Sequence, residues 1–164
     1  MSDSGRVSDS GPVSDSDRVI LRATSRLVVI DEDDRVLLML TKAPDTSGSA
    51  RWITPGGGVD EGETHAEAAI RELHEETGQT IADPGPVVYT EDFAVPWDAA
   101  DHTHGHAEFY VVHLPHFDIV EDDWTDDERV DILESRWWSL AELESTDEPL
   151  EPAVLVDLVR RALA

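Results

Sequence analysis

The chain has 164 residues, of which 37 are acidic and 12 basic, giving a net charge of −25, and it contains no cysteine. That length suits one compact domain. A surface this negative repels phosphate backbones and anionic headgroups, so neither a nucleic-acid partner nor a membrane partner is expected, and the missing cysteines exclude disulfides, thiolate zinc sites, iron–sulfur clusters and cysteine nucleophiles.

Residues 2–19 read SDSGRV, SDSGPV and SDSDRV, three copies of one polar six-residue unit. Such units bury too little apolar surface to offset chain entropy, so residues 1–17 are expected to be a disordered Ser/Asp tail. They carry no apolar stretch of the kind a secretory signal needs, and a cytoplasmic location is expected. A single domain is expected over residues 18–164. Val19 to Ile30 reads as one or two strands, Asp31 to Asp34 as a tight acidic turn, and Val36 to Leu40 as the return strand of a hairpin. The apolar run Val36 to Leu40 is far too short to span a membrane. Thr41 to Ala50 reads as a loop, and Arg51 to Thr54 as a short strand running into Pro55 and three glycines. Thr64 to Thr77 reads as a helix, Val87 to Val95 and Ala107 to Leu114 as strands, and His116 to Asp131 as an acidic segment. Ile132 to Ser139 reads as the last strand, followed by helices at Leu140 to Glu144 and Pro152 to Leu163. Strands and helices mix without strict alternation, which favours an α/β or α+β sandwich on a mixed sheet over a doubly wound parallel fold.

The helix from Thr64 carries the strongest signal. Thr64 with Glu67 forms a capping-box pattern, and Gly78 stands where a left-handed C′ residue is wanted. Ala66, Ala69, Ile70, Leu73 and Thr77 form a stripe expected to pack on the sheet. Glu72, Glu75 and Glu76, at i, i+3 and i+4, are expected to project together on the other face. Like charges so placed repel, and Arg71 offsets only part of that. Oxygen-rich clusters of this kind suit hard divalent cations. A solvated acidic face is the competing reading in so acidic a chain.

The full run Gly57 to Gln79, GGVDEGETHAEAAIRELHEETGQ, resembles the Nudix box. Gly57, Glu63, Arg71, Glu72, Leu73, Glu75, Glu76 and Gly78 fall on its required positions, and Gln79 stands at a packing position where the family carries an aliphatic residue. The resemblance extends over roughly residues 19–163 and implies an α/β/α sandwich with a mixed β-sheet. It implies a pyrophosphohydrolase that cleaves a nucleoside diphosphate linked to another group, with Mg²⁺ or Mn²⁺ as cofactor. It assigns Glu72, Glu75 and Glu76 as metal-binding carboxylates, one of which can serve as base, with the Gly57 carbonyl as a further ligand. Arg71 and Glu63 are expected to orient that cluster. Glu128 is a candidate base on the later acidic segment, beside Asp126 and Asp127, and Glu108 is another.

A small nucleotide is the expected substrate, and a homodimer is left open because many members of the family dimerise. Trp52 and Trp97 are candidates for stacking on a base, and one of the adjacent Trp137 and Trp138 is expected in the core. His102, His104 and His106 alternate, so they share a face if extended; substrate contact, through His104 first, is expected over a zinc site. A catalytically silent nucleotide-binding domain on the same fold is the alternative function. A prenyl diphosphate isomerase is disfavoured by the lack of cysteine, and action on RNA by the lack of a basic track.

Overall fold

The computed structural model describes residues 21–42, 48–94, 104–119, 124, 126 and 131–164. The tail expected at residues 1–17 lies outside these described residues, as do Trp97, His102, Asp127 and Glu128. The elements run β1 (Leu21–Ile30), β2 (Val36–Lys42), β3 (Ala50–Ile53), β4 (Gly56–Gly58), α1 (His65–Thr77), β5 (Val87–Ala94), β6 (His104–His113), β7 (Ile132–Trp138), α2 (Leu140–Ser145), β8 (Leu150–Glu151) and α3 (Leu155–Ala162).

The strands form one mixed sheet in the order β5-β6-β1-β2-β3-β8, with β4 paired to β1 and β7 to β2. β1 runs parallel to β6 along its whole length, from Leu21 against His104 to Ile30 against His113. The expected hairpin closes with Ile30 opposite Val36. Its turn is fastened by Asp31, whose Oδ1 accepts from the backbone N–H groups of Asp33 and Arg35, both at 2.9 Å.

Alternation along β1 sends side chains to two cores. Leu27 and Val29 pack with Leu37, Ala69, Leu73, Tyr110 and Val112 beneath α1. Val28 and Ile30 pack with Val36, Leu38, Trp52, Trp138, Leu143, Leu155 and Val159 beneath α2 and α3. Helices therefore cover both faces of a mixed sheet, as the α/β/α expectation requires.

Three elements depart from the sequence reading. β4 consists of Gly56, Gly57 and Gly58, residues of poor strand propensity, and forms because Ser25 and its neighbours in β1 offer a partner backbone. β8 is two residues beside β3. β6 begins at His104 rather than Ala107, since the parallel pairing with β1 extends through the polar His-Gly-His stretch. These are tertiary effects, which local pattern does not carry.

Trp52 is a correction of another kind. It is 1% exposed and meets Trp138 edge-on at a centroid distance of 5.1 Å, so it has no free face for a base to stack on. Its position on β3 points it into the core under α3. The Arg136 guanidinium caps the pair from outside, 3.9 Å from the Trp138 ring centroid. Trp52→Ala is expected to cost about 3–5 kcal/mol of stability, the usual loss for a buried aromatic. A denaturant midpoint close to wild type, together with a raised KM, would instead return Trp52 to the substrate.

Candidate active site

Helix α1 is built as its sequence indicates. The Thr64 hydroxyl accepts from the Glu67 N–H at 3.1 Å, and Gly78 closes the helix at φ 78° with its N–H on the His74 carbonyl at 2.8 Å. The face it buries differs from the expected one. Ala69 and Leu73 do pack on the sheet, but Ala66 and Ile70 are only half-buried, whereas Glu72 and Glu76 are 8% and 7% exposed. The carboxylates thus lie on the sheet side, over β4, and not on the solvent face.

Two things make that burial affordable. The first is space. A Cβ on Gly57 would stand 2.5 Å from Glu72 Oε1, so only a glycine lets the strand and the carboxylate come this close. The second is a set of polar partners. Glu76 Oε2 accepts from the Gly56 N–H at 2.8 Å. Arg71 donates to Glu63 through Nε and Nη2, both at 2.9 Å, and to the Gly58 carbonyl at 2.8 Å. Its Nη1 reaches Glu72 at 3.1 Å and Glu75 at 3.2 Å. One guanidinium therefore gathers Glu63, Glu72, Glu75 and the backbone of β4.

Arg26 lies under the same cluster and donates to the carbonyls of Thr54 and Gly56 at 3.2 and 3.3 Å. Burial lowers its pKa, while Glu76 and Glu72 act to raise it. Burial likewise raises the Glu72 carboxyl above its usual value, with Arg71 opposing the rise and Glu75 adding to it. Glu63 is the reverse case, drawn down to about 2 chiefly by its bonds from Arg71. The Trp124 indole donates to the Glu76 carbonyl at 2.7 Å and ties down the last turn of the helix.

The donor set fits a hard divalent cation. It consists of three carboxylates, two of them buried, beside the Gly57 backbone, and it carries more negative charge than Arg71 offsets. When bound, such a cation would neutralise phosphate charge and acidify a water.

Of the other sequence candidates, His104 is exposed at the start of β6 and lines an open groove with Leu21, Asp92, Phe93 and Ala94. Glu108 lies on the β6 face that also carries His106 and Tyr110, where Tyr110 donates to it at 3.4 Å. His74 is exposed. The structure adds residues that the sequence reading passed over. Arg26 had a signal, being a charge directly before the apolar run Leu27 to Ile30. Trp124 and Ser25 had none.

The family model of the NUDIX domain matches residues 21–159, and the chain belongs to the Nudix family. It is 38% identical over 69 residues to an RNA pyrophosphohydrolase of Erythrobacter litoralis, covering 42% of each chain. It is 41% identical over 56 residues to a putative 8-oxo-dGTP diphosphatase of Bacillus subtilis, covering 34% of each. The matches thus span about two fifths or less of these curated relatives. Among solved structures, a MutT protein from Methanosarcina mazei superposes with a TM-score of 0.64 at 20% identity, over 88% of this chain and 94% of that one. A MutT Nudix hydrolase from Burkholderia pseudomallei superposes at 0.60 and 25% identity, over 88% of this chain and 98% of that one.

Two outcomes are expected from this geometry. A carboxylate with a lowered native pKa stabilises the fold above its unfolded value and loses that contribution as pH falls toward the native value. The stability gap between wild type and Glu63→Gln should therefore be full at neutral pH and shrink between pH 4.5 and about 2. Denaturant titrations at stepped pH read it, and a gap that is flat across that window would contradict the ion-pair account. Gly57→Ala should displace the Glu72 carboxylate and weaken Mg²⁺ binding about tenfold, the scale seen when a ligand's support is disturbed. Calorimetric titration with Mg²⁺ checks this beside a circular-dichroism spectrum.

Proposed function

We propose that the chain hydrolyses a pyrophosphate bond in a small nucleotide or nucleotide derivative, using Mg²⁺ or Mn²⁺. The observation that carries this reading is the gathering of Glu72 and Glu75 by Arg71, and of Glu76 by the Gly56 N–H, against a strand of glycines. Glu72, Glu75, Glu76 and the Gly57 carbonyl would hold the cation. Empty, the cluster repels a phosphate; loaded, it attracts one. Arg71 and Glu63 fix where the carboxylates stand, so little rearrangement is needed when charge builds up on the reacting phosphoryl group. Glu72 is proposed to take the proton of the attacking water. Glu128 is the alternative base.

The relatives named RNA pyrophosphohydrolase raise the 5′ end of an RNA as a substrate. The net charge of −25 favours a small nucleotide over a long polyanion.

The test is phosphate and pyrophosphate release from a panel of nucleoside triphosphates, dinucleoside polyphosphates, nucleotide sugars and triphosphorylated RNA, with Mg²⁺ or Mn²⁺. Turnover of one class is expected, and Glu75→Gln and Glu76→Gln should each lower it about a hundredfold or more. Glu128→Gln separates the two bases, since it slows the reaction only if Glu128 takes the proton. A folded, metal-loaded protein that turns over nothing, yet binds a nucleotide, would replace the enzyme with a binding domain.

A further inference from the structure

A second cluster of metal-ligating side chains lies outside the box carboxylates. His65, the first residue of α1, meets His106 and Glu108 of β6, and one ligand atom from each lies within 4.8 Å of the other two. His65 Nδ1 is 3.6 Å from Glu108 Oε2, and His106 Nε2 is 3.4 Å from Glu108 Oε1. These separations are long for hydrogen bonds between such groups, which centre near 2.9 Å. They also suit the spacing of metal ligands, the His106 Nε2 to Glu108 Oε1 distance most closely. Two atoms each about 2.0–2.1 Å from a tetrahedral zinc ion lie about 3.3–3.4 Å apart.

The surroundings are arranged to hold those ligands. Asp92 of β5 takes His106 Nδ1 at 2.6 Å, which leaves Nε2 turned toward Glu108. A carboxylate behind a ligating imidazole is the usual support for a histidine–metal bond. Ser25 of β1 lies 3.1 Å from His65 Nδ1 and donates to the His65 carbonyl at 2.7 Å, tying that residue to the sheet. Tyr110 donates to Glu108. The three candidate ligands are between 22% and 28% exposed, shielded yet open to solvent on one side.

We propose that His65, His106 and Glu108 form a transition-metal site, with Zn²⁺ as the best-suited ion and an open coordination position, separate from the cation site of the box. Two imidazoles and one carboxylate suit Zn²⁺ or Co²⁺ and suit Mg²⁺ poorly. Three protein ligands leave one position for water or a substrate atom. His65 precedes Glu72 by seven residues and Glu76 by eleven, so all three fall on one helix face, with His65 about 10 Å along the axis from Glu72. The site therefore lies on the same face of α1 as Glu72 and Glu76. It is suited to hold an anionic group of a ligand whose pyrophosphate lies at the glutamates.

The experiment is a Zn²⁺ titration of the full chain against a chromophoric chelator, in excess Mg²⁺ to fill the box. One Zn²⁺ per chain is expected to bind and to survive the Mg²⁺. His65→Ala, His106→Gln and Glu108→Gln should each weaken it tenfold or more, and Asp92→Asn should weaken it less. Glu75→Gln should leave it unchanged. Co²⁺ in place of Zn²⁺ should give visible d–d bands that His65→Ala removes. Thermal unfolding with and without Zn²⁺ covers a variant that folds poorly, because wild type and Asp92→Asn should both gain stability from the ion. Zn²⁺ binding that is unaffected by the His and Glu108 changes would overturn the site, as would binding that disappears with Glu75→Gln or with excess Mg²⁺.

Discussion

Arg71 carries a single positive charge and serves Glu63, Glu72, Glu75 and the Gly58 carbonyl together. Without it, carboxylates packed against a strand would repel one another and the helix would turn that face to water. With it, the helix can bury Glu72 and Glu76 and still leave the cluster negative. The balance is deliberate in a physical sense. Four carboxylates still outnumber Arg71 and the Arg26 beneath them, whereas an apolar helix face would remove the patch. The loop from Gly58 to Glu63 takes its course from the same guanidinium, because both ends of that loop are held by it.

This explains how the fold and the site depend on each other. The strand of glycines has no side chains with which to stabilise itself. It is held by β1 on one side and by Arg71 and the Gly56 N–H bond to Glu76 on the other. The carboxylates in turn need the bare backbone that those glycines supply. Neither half stands alone, and so a spacing of residues along the chain could report on a site.

Much of this was readable in the sequence, and for a reason. The cap at Thr64, the stop at Gly78 and the i, i+3, i+4 glutamates are local, so their signals sit within a few residues of one another. The strands at Leu21–Ile30 and Val36–Lys42 announced themselves by apolar content. What escaped depends on contacts made far along the chain. Periodicity places the glutamates opposite the apolar stripe because it counts carboxylates as polar, whereas buried partners receive them. Trp52 reads as a stacking residue because it precedes the glycines, but its neighbour in space is Trp138. His65 has no signal inside the box, since nothing near it in sequence shows that β6 brings His106 and Glu108 beside it.

The pairing of the central strands has a consequence for how the molecule assembles. Leu21 faces His104, and Val36 faces Trp138, so both central strands are completed by segments from the far half of the chain. Such non-local pairings close large loops before they gain any contact energy, and chains that rely on them fold slowly. Helix α1 can form early on its own caps, but the floor beneath it arrives late. On a growing chain the carboxylates would be made well before the sheet that shelters them, and during that interval Arg71 is the one close counter-charge the box itself supplies.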